Sequence, residues 1–170
     1  EHLEKVNNYI DIGIKEGAKI VADGRNYKLQ GYEKGYFIGP SLFDHVNTDM
    51  TIYKEEIFGP VLSVVRVQSY EEALLIINNN EFGNGTSIYT SNGDVARHFT
   101  TSTQIGMVGV NVPIPVPMAF HSFGGWKKSL FGDHSMHGME GIHFYTKLKT
   151  ITSRWPTSIK VGPEYIMPTN

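Results

Sequence analysis

The chain has 170 residues, 40% of them hydrophobic and 19% charged, with a formal charge of −2 and an isoelectric point near 6.4. That length is about one domain and can bury roughly 70% of the extended chain's surface, so a real core is expected and disorder is not. The weak charge gives no electrostatic reason to expect nucleic acid or an anionic membrane, no run reaches the ~18 apolar residues of a bilayer span, and zero cysteines remove disulfides, thiolate metal ligands and a cysteine nucleophile together.

Leu3, Val6, Ile10 and Ile14 keep a helical stripe, which predicts an opening helix that ends near Gly17. Because the stripe is already running at Glu1, the chain is expected to start inside something longer. Residues 18–22 read as a short apolar strand before the turn Asp23-Gly24. Residues 36–46 predict an interrupted strand bent at Gly39-Pro40, and 47–54 a loop with a short helical turn. Residues 61–67 are a β-branched run of the kind buried on both faces of a parallel sheet.

Ser69 and Glu72 make a capping box for a helix through Ala73, Leu74, Ile76 and Ile77, which Asn78-Asn79-Asn80 and Gly83 end. Residues 86–90 are the next predicted strand, Asn92 or Asp94 starts another helix through Ala96 and Phe99, and residues 107–111 form a third strand. The order β-α-β-α-β calls for a parallel sheet with right-handed crossovers, hence the α/β class.

After Asn111 the prolines at 113, 115 and 117 and the glycines at 124, 125, 132, 138 and 141 predict a long shaped loop. Its aromatic residues at 120, 123, 126 and 131 argue for order. Residues 138–145 read as a short helix, 147–155 as a strand near a sheet edge, and the tail after Pro156 as irregular. His121, His134, His137 and His143 fall in this region, with His134 and His137 three apart beside Asp133. Two neighbouring histidines in an irregular order are an incomplete ligand set, and no metal is expected.

The segment Glu55-Glu56-Ile57-Phe58-Gly59-Pro60-Val61 sets two carboxylates, an aromatic ring and a rigid Gly-Pro turn against a strand. A carboxylate there can accept both hydroxyls of a ribose, and a neighbouring ring can support a flat heterocycle. A bare Glu-Glu pair is more often a solvated helix end. The whole heptad, however, resembles a signature of the aldehyde dehydrogenase family. The resemblance continues through Gly35-Tyr36-Phe37-Ile38-Gly39-Pro40, Glu71-Glu72-Ala73 with Asn78, and Gly109-Val110-Asn111. It extends to Phe123-Gly124-Gly125-Trp126-Lys127-Lys128-Ser129 and to Tyr145-Thr146 with Lys149-Thr150.

That resemblance implies that Glu56 holds the nicotinamide ribose of NAD and that Phe58 lies beside the nicotinamide. It places Phe120, His121 and Phe123 on the substrate-pocket loop, although a phenylalanine is by default a core residue. Glu55 is read as a surface or structural acid, and Asn111 as holding the loop through backbone hydrogen bonds. Lys127-Lys128 is weighed as an anion attractor against the commoner exposed-lysine reading.

Pro115-Val116-Pro117-Met118-Ala119-Phe120, Phe131-Gly132-Asp133, Phe144-Tyr145-Thr146 and Ile151-Thr152-Ser153-Arg154-Trp155 are most similar to the methylmalonate-semialdehyde branch of the family, which is acylating. The branch implies NAD as cofactor, coenzyme A as co-substrate, a small semialdehyde substrate and a product of propanoyl-CoA or acetyl-CoA with release of carbon dioxide, in valine or inositol catabolism. It also implies a homo-oligomer, dimer or tetramer, while the weak charge and the lack of a long apolar run lead us to expect a soluble, cytoplasmic protein with no nucleic-acid or membrane partner. The nucleophile of such chemistry is a cysteine thiolate. This chain has none, so by itself it is expected not to catalyse and to contribute no catalytic residue.

The expected division is therefore residues 1–145 as the C-terminal part of the catalytic domain and 146–170 as an oligomerisation strand and tail. A non-acylating aldehyde dehydrogenase and a non-catalytic assembly module remain as alternatives.

Overall fold

A computed structural model describes residues 1–155. The opening helix α1, His2–Lys15, forms on the predicted stripe, and Val6, Tyr9, Ile10 and Gly13 are its buried face. Strands β1, Lys19–Ala22, β2, Ser41–Asp44, and β3, Val61–Ser63, form one mixed sheet in that order. β1 is antiparallel to β2, with a register shift between Ile20 and Ala22, whereas β3 runs parallel to β2 in the register Ser41↔Val61. A one-turn helix α2, Thr51–Lys54, sits between β2 and β3. Helix α1 packs on this sheet through a core of Val6, Ile10, Phe43, Val46, Met50, Ile52 and Ile57.

The second half is α3, Tyr70–Asn79, β4, Phe82–Gly83, β5, Gly85–Ile88, α4, Gly93–Ser102, and β6, Met107–Val110. The short strand β7, Trp126–Lys127, and helix α5, Met139–Tyr145, follow. β5 and β6 are parallel, in the register Gly85↔Met107, and β4 and β7 are antiparallel. The capping signals act as read, with one shift. Ser69 Oγ accepts from the Glu72 amide at 3.1 Å, but the Glu72 carboxylate returns to the amide of Gln68 rather than Ser69, at 2.8 Å. Asn92 caps α4 by accepting from the amides of Asp94 and Val95.

Four expectations change. The run 61–67 is a strand for only three residues, and Leu62 on it is 64% exposed, so it is not buried on both faces. The expected single parallel sheet is divided, since β3 and β5 belong to different sheets. Burial on both faces of a strand requires a packed layer on each face, and the exposure of Leu62 shows that one face of β3 is uncovered among the described residues. The strand predicted over 36–46 is confined to β2, with Tyr36 exposed ahead of it. Residues 147–155 pair with no strand among the described residues, and Leu148, Ile151 and Trp155 stand exposed, because a lone extended segment has no ladder to complete. The irregular tail expected after Pro156 lies outside the described residues.

Candidate functional site

The turn between α2 and β3 carries the two carboxylates, and the geometry separates their roles. Tyr9 on α1 donates its hydroxyl to Glu55 Oε2 at 2.7 Å, and that bond is the main reason the Tyr9 hydroxyl titrates above its ordinary value. Glu55 is therefore engaged in structure. The Glu56 carboxylate makes no hydrogen bond or ion pair among the described residues, and its side chain opens onto a groove of about 460 Å³. Glu55 borders the same groove, with Tyr53, Lys54, Phe82, Asn84, Lys128 and Ser129. A free carboxylate keeps all its lone pairs for a diol, which suits a ribose.

Ile57 turns inward, 8% exposed, and Phe58 turns outward, 77% exposed. The switch is made at Phe58 itself, whose φ is +55°. A left-handed residue other than glycine costs about 1–2 kcal/mol, so the surroundings must hold it there. His2 Nε2 bonds the Phe58 carbonyl at 2.9 Å. Asn111 and Lys127 are also at positive φ, 58° and 54°, and both lie in motifs that carry the resemblance.

Asn111 ends β6 and clamps the end of β5. Its Oδ1 accepts from the Thr90 amide at 2.9 Å, its Nδ2 donates to the Thr90 carbonyl at 3.0 Å, and its own amide bonds the Ile88 carbonyl at 2.8 Å. It is thus occupied with backbone, as expected, but at the end of β5 rather than within the loop that follows. The loop that follows returns across the first strands of the second half, and a Cβ on Gly106 would lie 2.0 Å from the Gly124 carbonyl oxygen. Only glycine permits that approach.

Lys127 is the residue whose role the sequence hid. Its Nζ donates to the carbonyls of Ile77, Asn78 and Asn80 at 3.3, 2.8 and 2.9 Å. Helix α3 ends on Asn80 in an extended conformation, without the left-handed glycine that usually satisfies terminal carbonyls, and the ammonium takes that place. The one clue in the sequence was the missing glycine directly after the helix. Lys128 pairs with Glu81, and Ser129 Oγ accepts from the Gly83 amide at 3.0 Å, so this strap closes one wall of the Glu56 groove.

Phe120, His121, Phe123 and Phe58 are not walls of that groove. Phe120 and His121 sit together on the exposed loop, their rings 4.4 Å apart. Phe123 is half-buried and stacks on His137, 4.4 Å apart and within 6° of parallel. The histidines group differently from their sequence spacing. His134 pairs with Glu140, and His143 Nδ1 lies 3.5 Å from the other oxygen of that carboxylate. The His134 bond is the main cause that holds the Glu140 carboxyl below its ordinary value. The donor atoms of His134, Glu140 and His143 lie within 4.8 Å of one another on an exposed surface.

The chain is 60% identical over 152 residues to the malonate-semialdehyde dehydrogenase of Pseudomonas aeruginosa, covering 89% of this chain and 31% of that protein. It is 51% identical over 168 residues to the human mitochondrial methylmalonate-semialdehyde/malonate-semialdehyde dehydrogenase (acylating), covering 98% and 31%. A crystal structure from Sinorhizobium meliloti 1021, assigned as a methylmalonate-semialdehyde dehydrogenase and complexed with NAD, superposes with a TM-score of 0.87 at 62% identity, over 94% of this chain and 32% of that one. The chain thus spans about a third of the length of the curated relatives it matches. The aldehyde dehydrogenase family model matches residues 1–151, which takes in the Glu56 groove, the Asn111 clamp and the Lys127 strap alike, and the chain belongs to that family.

Proposed function

We propose that this chain is part of an NAD-dependent, CoA-acylating dehydrogenase of methylmalonate or malonate semialdehyde, and that it holds the nicotinamide half of the cofactor. The observation that carries this reading is the division of labour in the Glu-Glu pair: Glu55 is bound by Tyr9, and Glu56 is left free at an open groove. The identities to semialdehyde dehydrogenases support the choice of substrate.

NAD, when bound, supplies the acceptor for the hydride that leaves the aldehyde carbon. Glu56 accepts hydrogen bonds from the nicotinamide ribose, and Phe58 offers a ring face to the nicotinamide. Phe120, His121 and Phe123 shape the loop that meets the aldehyde. The carbon is first attacked by a thiolate, and none of the 170 residues can supply one. After oxidation, the thiol of coenzyme A displaces that thiolate from the acyl group. The substrate carboxylate leaves as carbon dioxide while the α-carbon gains a proton, which gives propanoyl-CoA or acetyl-CoA. We assign residues 1–145 to the C-terminal part of the catalytic domain and 146–170 to an oligomerisation strand and tail, of which 156–170 lie outside the described residues.

The test is made in the full-length protein that contains this chain. With malonate semialdehyde, NAD and coenzyme A, the expected product by mass spectrometry is acetyl-CoA, formed only when coenzyme A is present. Turnover to a free acid without coenzyme A would replace the acylating reading by the hydrolytic one. Glu56→Gln is expected to raise the Kd for NAD about tenfold or more, since a charge-assisted acceptor of two hydroxyls is lost.

A further inference from the structure

Three residues on one side of α1 meet three residues of the turn that carries Glu56 and Phe58. His2, Val6 and Tyr9 are spaced by four and three, so they share a helix face. His2 Nε2 reaches the Phe58 carbonyl at 2.9 Å. Val6, 2% exposed, packs so closely under Gly59 that a Cβ there would lie 2.7 Å from Val6 Cγ2. Tyr9 binds Glu55 at 2.7 Å. The turn is thus fixed at its carbonyl, its glycine and its first carboxylate, and these contacts leave the Glu56 carboxylate and the Phe58 ring unengaged among the described residues.

We propose that His2 and Tyr9 are positioning residues for the cofactor turn, a role that rests on the reading of Glu56 and Phe58 given above. Phe58 adopts φ +55°, which a phenylalanine leaves readily unless restrained, and in that conformation its ring points to solvent while Ile57 enters the core. A carbonyl only accepts, so Nε2 of His2 is the protonated ring nitrogen and a neutral donor suffices for the bond. Tyr9 acts on the other end: by holding Glu55, which also borders the groove, it leaves Glu56 as the carboxylate free to accept from a ligand. Helix α1, which lines no part of the groove, therefore sets the orientation of the nicotinamide platform.

The experiment uses the full-length protein with two probes, NAD and ADP-ribose, and reads Kd by calorimetry. ADP-ribose keeps the ribose that Glu56 would hold and lacks the nicotinamide that Phe58 would face. His2→Ala is expected to weaken NAD roughly three- to tenfold and to leave ADP-ribose unchanged. His2→Gln, which keeps a neutral donor, is expected to restore NAD affinity. His2→Leu serves as the second removal variant if the alanine protein does not fold. Tyr9→Phe is expected to weaken both probes, because it disturbs the carboxylate rather than the ring.

Equal losses for both probes in His2→Ala, or no loss, would overturn the proposal. Glu56→Gln separates this failure from a failure of the parent reading. If Glu56→Gln weakens both probes while His2→Ala changes neither, only the positioning role falls. If Glu56→Gln changes neither, the turn is not a cofactor site at all.

Discussion

Removing the Lys127 ammonium strips the carbonyls of Ile77, Asn78 and Asn80 of a shared donor, two of them within 3 Å of it. Lys127→Met is therefore expected to lower stability by about 2 kcal/mol in denaturant unfolding, and Lys127→Arg to recover part of that. A loss below about 0.5 kcal/mol would mean that water replaces the lysine at the end of α3. Asp44 offers a pH-dependent counterpart. The Arg66 guanidinium, with the His45 amide behind it, lowers the Asp44 carboxyl from 3.8 to about 2. A depressed carboxyl contributes stability above its unfolded value and loses it as pH falls through the folded one. Arg66→Ala should thus be less stable than the parent at pH 7, with the gap closing as pH falls from about 4 to about 2. Unfolding midpoints measured across that range check it, and a gap independent of pH would count against the pair.

At the scale of elements, local signals were readable wherever the element satisfies itself. The stripe of α1, the Ser69 cap of α3 and the Asn92 cap of α4 all stand where the sequence put them, because periodicity and capping depend on neighbours within a few residues. Strand β3 and the segment 147–155 were not readable in the same way, since a strand's extent depends on a partner that is not local in sequence. The Glu56 half of the candidate site was legible as a motif, whereas the restraints on it were not. Tyr9 and His2 lie 46 and 56 residues from their partners, and nothing in a helical stripe says which of its polar edges will meet a turn. The sheet beneath that turn rests on Phe43, which is fully buried between α1 and α2. Phe43→Ala is expected to cost about 3–5 kcal/mol and to weaken NAD binding in the full-length protein through the shared core. A melting temperature within a degree or two of the parent would show that the core repacks around the gap.

For the whole molecule, the distribution of burial decides what the 170-residue chain does when alone in solution. Among the described residues most buried side chains lie in the first half, around α1 and β2, whereas α3 buries none. The rest of the chain exposes apolar groups next to unpaired backbone. Among the described residues β3, at the end of the first half, is an edge strand that carries an exposed Leu62, β5 and β6 in the second half form a pair with two open edges, and Leu148, Ile151 and Trp155 are 98%, 78% and 86% exposed. Open edges with apolar side chains pair with whatever strand is available, and at a net charge of −2 little repulsion opposes a second copy. The isolated chain is therefore expected to self-associate, with a sedimentation coefficient that rises with concentration in the micromolar range. Leu148→Lys with Ile151→Lys, both on exposed positions, should shift that curve toward monomer without lowering the helix signal in circular dichroism. If the double variant leaves association unchanged, the open edges of β3 and β5 are the adhesive surface instead, and a charge at Leu62 becomes the substitution that should disperse it. A chain that stays monomeric at every concentration would contradict both.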